Sequence, residues 1–184
     1  EARGFVNAVP WTRGVDTETF SPGERDALVD RRPIFLYVGR VAVEKNIEAF
    51  LKLDLPGTKW VVGEGPMRAH LQRKYPHVHF AGIMKPAELA RYYRAADVFV
   101  FPSLTDTFGL VMLEALACGT PVAAFPVLGP VDVIGDSGAG VLHDNLAVAC
   151  MRALDIPREK ARRYAEHFSW QESIDQFAAN LAPV

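Results

Sequence analysis

Residues Val98–Phe125 read VFVFPSLTDTFGLVMLEALACGTPVAAF, and the pattern of this stretch decides the fold. Val98–Phe101 is a short run of β-branched and aromatic residues, the length of a buried strand and too short for a helix. Pro102–Thr107 is a polar loop. From Phe108 to Thr120 the only charged side chain is Glu114, and the other positions are apolar or small all round, which marks a helix buried within a layered core. Gly119 and Pro121 close that helix. Pro121–Phe125 is a second apolar run. Strand, buried helix and strand in this order make a βαβ unit, and hence a parallel sheet covered on both faces.

The same alternation extends outward from this segment. Ile34–Val38, Trp60–Val62, Val78–Ala81 and a weaker Gly140–Leu142 read as further strands. Helical candidates lie near 46–53, 66–75, 86–96, 109–118, 145–155, 158–167 and 170–182. With right-handed crossovers the expected fold is α/β, a doubly wound Rossmann-like parallel sheet of about six strands beginning near residue 33. Residues 1–32 carry no sustained period and contain Pro10, Gly14, Pro22 and Gly23, which is linker chemistry with room for one helix near Pro22–Arg31. The expected division is therefore a linker over 1–32 and one domain over 33–184. The sequence opens on Glu1 and not on Met, so a longer parent protein is expected.

Bulk properties narrow the function. A length of 184 residues suits one domain, and a composition 49% hydrophobic and 23% charged is ordinary for a soluble globular chain. A net charge of −2 gives no general reason to expect nucleic acid. Cys118 and Cys150 both sit in apolar, helix-like stretches and read as reduced core thiols of an intracellular protein. No apolar run approaches the length of a bilayer span, and no signal peptide opens the chain. His70, His77 and His79 have no Cys or Asp cluster around them, so no zinc site is expected.

In a sheet of this kind ligands bind beyond the carboxyl ends of the strands. At the first exit, Gly39-Arg40 is followed by Lys45-Asn46. Arg offers a bidentate fork and Lys a point charge, a pair suited to a diphosphate; equally, they are solvated surface cations, with Asn46 capping the next helix. A dinucleotide site needs Gly-x-Gly-x-x-Gly, and Gly63-Glu64-Gly65-Pro66 supplies only part of it before turning into a helix. Glu114, alone on an apolar helix, needs donors: the two hydroxyls of a ribose would serve, as would a nearby cation or solvent. Asp106 lies just before the helix start, where a cap belongs. The unpaired amides of Phe108, Gly109 and Leu110 form an anion site at that same helix end. Asp144 or Asn145 reads as a cap, and Trp60 and Trp170 as packing residues.

Four stretches in order resemble the donor-binding, C-terminal domain of the large retaining GT-B glycosyltransferase family with the E-x(7)-E signature, the group 1 glycosyltransferases. They are Arg13–Phe20, Gly39-Arg40 with Glu44-Lys45-Asn46, Gly63–Pro66, and Asp106–Pro121. The resemblance runs from Arg13 to about Phe177. Each motif alone is weak, and the four together at this spacing are specific. The second signature glutamate is Glu114, while the first position holds Asp106, a shorter carboxylate.

The resemblance implies roles. Gly39, Arg40, Lys45 and Gly63 belong to the diphosphate-binding turns, and Glu114 takes the ribose. Asp106 faces the transferred sugar. Thr107, with the Phe108, Gly109, Leu110 and Val111 amides, holds sugar or phosphate oxygens, and the base lies against main chain at Ile83-Met84. It further implies transfer of a hexose from a UDP- or GDP-linked sugar to an acceptor hydroxyl with retention, with no cofactor and no catalytic metal. The acceptor half belongs to an N-terminal domain outside this chain, the location is cytoplasmic with peripheral contact at the inner face of the membrane, and this domain alone binds nucleotide without efficient turnover. Two other functions fit the same sheet: a non-catalytic nucleotide- or phosphate-binding regulatory module, and a non-hydrolysing nucleotide-sugar epimerase.

Overall fold

The computed structural model describes residues 11–181. Six strands form one all-parallel sheet: β1 Ile34–Val38, β2 Thr58–Val62, β3 His79–Ala81, β4 Val98–Phe101, β5 Val122–Ala124 and β6 Gly140–Leu142. Their order is β3-β2-β1-β4-β5-β6, so the direction of winding reverses between β1 and β4. β1 and β4 pair in register with Phe35 opposite Val98 and Leu36 opposite Phe99. Every residue of β1 and β4 is buried, the condition under which a strand reads as an unbroken apolar run.

Side chains alternate between two cores, one on each face of the sheet. Phe35 and Tyr37 point into a core built with α1 (Ile47–Leu51), α2 (Arg68–Lys74) and α6 (Leu146–Ala153). Ile34, Leu36 and Val38 point into the opposite core, covered by α3 (Pro86–Ala95), α4 (Leu110–Ala117), α5 (Leu128–Val133) and α7 (Arg158–Ala165). The chain closes with α8 (Trp170–Ala179). Asn145 caps α6 as expected, its side chain accepting from the Ala147 and Val148 amides.

Three features depart from the sequence reading. α5 was not foreseen, because Leu128–Val133 carries Gly129 and Pro130, residues of low helix propensity. No helix forms between Pro22 and Arg31. That segment is nonetheless fixed: Val15, Phe20 and Leu28 bury their side chains in the α3/α4 core. Arg94 donates to the Ser21 carbonyl at 2.6 Å and Arg162 to the Phe20 carbonyl at 3.1 Å. Trp170, read as a packing residue, is 55% exposed. Arg158 gathers the last carbonyls of two helices, donating to Ala96 at 2.8 Å and Cys118 at 3.2 Å, where the helix dipole favours a cation.

Candidate functional site at the winding reversal

A cavity of about 450 Å³ opens beyond the carboxyl ends of β1 and β4, where the strand order reverses and ligands bind in sheets of this type. One wall is the turn Val38-Gly39-Arg40, and Lys45 reaches in from the short 3₁₀ turn that precedes α1. The other wall is the loop leaving β4 and the first residues of α4, from Asp106 to Val111. Nine of the residues singled out from sequence (Gly39, Arg40, Lys45 and Asp106 to Val111) thus line one cavity.

Each wall is held by local chemistry. Gly39 has φ 151°, and the Tyr37 hydroxyl donates to the Arg40 carbonyl at 2.8 Å, fixing the turn. Burial, with the nearby charges of Asp106 and Glu44, pushes the Tyr37 phenol up and keeps it a donor. Gly109 begins α4 at φ 83°, with no side-chain cap, a conformation that glycine alone adopts freely. Asp106 is therefore not the cap of this helix. Met112 closes the first turn onto the Gly109 carbonyl at 2.9 Å, while the Leu110 and Val111 amides have no backbone partner among the described residues. These are the free donors of a helix N-terminus facing the cavity.

Asp106 instead pairs with Lys45, Nζ to Oδ1 at 2.5 Å, with the two side chains 22% and 29% exposed respectively. Burial opposes ionisation of Asp106, but the Lys45 ammonium, helped by the Ser103 hydroxyl, outweighs it and holds the carboxyl below its usual range. Arg40 reaches Glu44 at 3.2 Å in an exposed pair. Asp106 Oδ2 and Ser103 Oγ are both buried in the cavity wall, and the Ser103 hydroxyl adds to the pull that lowers the Asp106 carboxyl. Asn46 does not cap α1; it takes a left-handed φ of 49° and donates from Nδ2 to the Pro102 carbonyl at 3.0 Å, tying the two walls together.

Glu114 stands one turn further along α4 than Leu110, on the same helix face. It is half-buried and forms no ion pair among the described residues; the fully buried Tyr93 donates its hydroxyl to Oε2 at 2.9 Å. Burial pushes the Glu114 carboxyl up, and the Tyr93 hydrogen bond offsets part of that shift. Oε1 has no such partner and is not a buried atom, so it remains open to a donor from outside.

Four expected residues do not line the cavity: Glu114, a turn beyond the Leu110-Val111 edge, and Gly63, Ile83 and Met84. Gly63, at φ 131°, sits where an added β-carbon would run into the Gly39 carbonyl, so its lack of a side chain lets the cavity-lining turn take its shape. Ile83, 79% exposed, and the half-buried Met84 sit at the exit of β3, two strands away. Conversely, Arg13 and Tyr37 line the cavity without having been given a ligand role, and Ser103 lines it from the strand exit at which a ligand was expected. Tyr37 was hidden inside a strand run, and Ser103 has no motif of its own. Arg13 belongs to a quoted motif, yet only the packing of the linker brings it here.

The sequence pattern of the family described as Glycosyl transferases group 1 matches residues 32–155. A GDP-mannose-dependent α-mannosyltransferase of Mycobacterium tuberculosis is 38% identical over 149 residues, which cover 77% of this chain and 39% of that protein. The chain belongs to the group 1 glycosyltransferases.

Another relative extends the match over 97% of the chain and 53% of its own length at 34% identity: the GDP-mannose-dependent α-(1-6)-phosphatidylinositol dimannoside mannosyltransferase of M. tuberculosis. The chain spans about half or less of the length of these group 1 relatives. Among solved structures, sucrose-phosphate synthase from Thermosynechococcus elongatus superposes with a TM-score of 0.79 at 30% identity, covering 91% of this chain and 50% of that one. Anabaena HepE in complex with UDP gives a TM-score of 0.74 at 19% identity, over 90% of this chain and 55% of that one, and shows the shared fold. The six-stranded doubly wound sheet is the half of a GT-B glycosyltransferase that these neighbours share with it.

Proposed function

We propose that this chain binds a nucleoside-diphosphate sugar, UDP- or GDP-linked, in the cavity between β1 and β4. Together with an acceptor-binding N-terminal domain it moves a hexose to an acceptor hydroxyl with retention. The observation that carries this reading is the meeting of Arg40 and Lys45 with the free amides of α4 around one cavity. The M. tuberculosis relative whose name specifies GDP-mannose supports a nucleotide-sugar donor.

The chemistry asked of these residues is electrostatic. As the bond between the anomeric carbon and the diphosphate oxygen breaks, negative charge collects on the departing oxygen. Arg40, Lys45 and the Leu110 and Val111 amides stabilise it where it develops. In this reading they supply the positive charge without a metal ion. Asp106, freed from Lys45, accepts from sugar hydroxyls, and Glu114 Oε1 accepts from the ribose. The base stacks at the β3 exit against the Ile83-Met84 main chain. Two buried free thiols, Cys118 and Cys150, suit a reducing cytoplasm, and contact with the inner membrane face would come from the rest of the protein. Among the described residues no helix is long and apolar enough to cross a membrane.

Titration calorimetry with UDP and GDP tests the reading, followed by a transfer assay on the complete protein that identifies the product's anomer. Saturable binding of one nucleoside diphosphate and a retained anomer are expected. Absence of binding by any nucleoside diphosphate at millimolar concentration would refute it.

A further inference from the structure

Three cations line the donor cavity: Arg13, Arg40 and Lys45. Two of them already face carboxylates, Arg40 with Glu44 and Lys45 with Asp106. Arg13 makes no ion pair and donates no hydrogen bond from its side chain among the described residues. An incoming diphosphate therefore competes with a carboxylate for Arg40 and Lys45, and with none among the described residues for Arg13.

The backbone that carries Arg13 is held in place. The Thr12 carbonyl accepts from the Ser173 hydroxyl of α8 at 2.8 Å, and the Val15 amide donates to the Phe168 carbonyl at 2.7 Å. Gly14 lies so close to the start of α8 that a β-carbon there would fall 2.6 Å from the Trp170 α-carbon. A long cationic side chain on a fixed backbone, at the edge of a cavity and without a partner among the described residues, is placed to take an anion. Its guanidinium presents two parallel donors to phosphate oxygens.

We propose, on the reading of the cavity as a nucleoside-diphosphate site, that Arg13 is a third diphosphate-binding residue. It is supplied by the segment that precedes the sheet and is positioned by α8. The donor site is thus completed by chain from outside the βα units that form its walls.

A ladder of ligands tests this by calorimetry: the nucleoside, its monophosphate and its diphosphate, titrated into the unaltered protein, Arg13→Gln and Arg13→Lys. Arg13→Gln should weaken the diphosphate by about ten- to a hundredfold, the range for a lost charge-assisted hydrogen bond. It should leave the nucleoside unchanged, with the monophosphate between them. Arg13→Lys keeps the charge without the fork and should fall between Arg13→Gln and the unaltered protein. The ligand-free melting temperatures should coincide, since the Arg13 side chain makes no ion pair and no hydrogen bond among the described residues. Diphosphate affinity of Arg13→Gln within about twofold of the unaltered protein would overturn the assignment. An equal loss for nucleoside and diphosphate would do the same, because it would place Arg13 at the base or in the fold. Failure of the unaltered protein to bind any diphosphate would remove the underlying reading as well, and so is distinguishable from failure of Arg13 alone.

Discussion

The Lys45 ammonium and the Asp106 carboxylate meet at 2.5 Å across the cavity, joining the turn after β1 to the loop after β4. The cation expected to serve a diphosphate is thus held by the carboxylate expected to face the sugar. On the proposed reading a diphosphate would replace Asp106 at Lys45, so the carboxylate it displaces needs a new donor, which the sugar hydroxyls would supply.

Replacing Arg40 and Lys45 together with Ala should weaken nucleoside-diphosphate binding by about 2–4 kcal/mol, the scale of two lost charge-assisted contacts. Calorimetry checks it; affinity unchanged in the double variant would show that the diphosphate sits elsewhere.

Asp106 gives the ion pair a pH signature. Its carboxyl is held below the usual range in the folded state, so its contribution to stability is present above the unfolded value and is lost as pH falls through the folded one. Asp106→Asn lacks that contribution throughout. The two proteins should differ by up to about 1 kcal/mol at neutral pH, as partly exposed pairs do. They should converge in acid, once the pH has fallen well below the ordinary carboxyl value of about 3.9. Urea midpoints measured across that range decide the matter, and a difference that persists at the acid end would show that Lys45 is not the cause.

Glu114 works in the opposite direction. Burial raises its carboxyl in the folded state, so ionisation costs stability, increasingly as pH rises from the unfolded value to the folded one and fully above it. Glu114→Gln removes that cost while its carbonyl still accepts from Tyr93, and the variant should melt at or above the unaltered protein at neutral pH. Its affinity for a ribonucleotide should nonetheless drop by about 1–3 kcal/mol, and much less for a 2′,3′-dideoxy analogue. Equal losses for the two ligands would remove Glu114 from the ribose.

Gly63 lets the cavity-lining turn take its shape. A β-carbon there would run into the Gly39 carbonyl, at a φ of 131° that strains any other residue. Gly63→Ala should cost about 1–3 kcal/mol of stability and weaken diphosphate binding through displacement of Arg40. Wild-type values in both denaturation and titration would show that the turn relaxes freely.

Residues whose meaning lies in local pattern could be read directly. The Val98–Phe101 run, the apolar helix behind Gly109 and the Arg40/Lys45 pair announce a parallel sheet and an anion site, because strand burial and helix termini impose composition on neighbouring positions. Asn46 misled for the same reason: a polar residue before a helix has a local explanation, capping, whereas its amide reaches Pro102, 56 positions away. Glu114 was legible as a buried acid but not by its partner, since Tyr93 is only one of several aromatic residues on α3 and its neighbours.

What the sequence determined by itself is therefore the order of the six strands, the chemistry available at each strand exit, and the family. What only the tertiary structure decided is which charges face one another. Lys45 meets Asp106 because the reversal of winding sets β1 beside β4. Arg13 reaches the cavity because Val15, Phe20 and Leu28 bury themselves in the core and draw an otherwise patternless segment onto the domain. Pairings of this kind depend on distance in space between residues far apart along the chain, and periodicity carries no record of them.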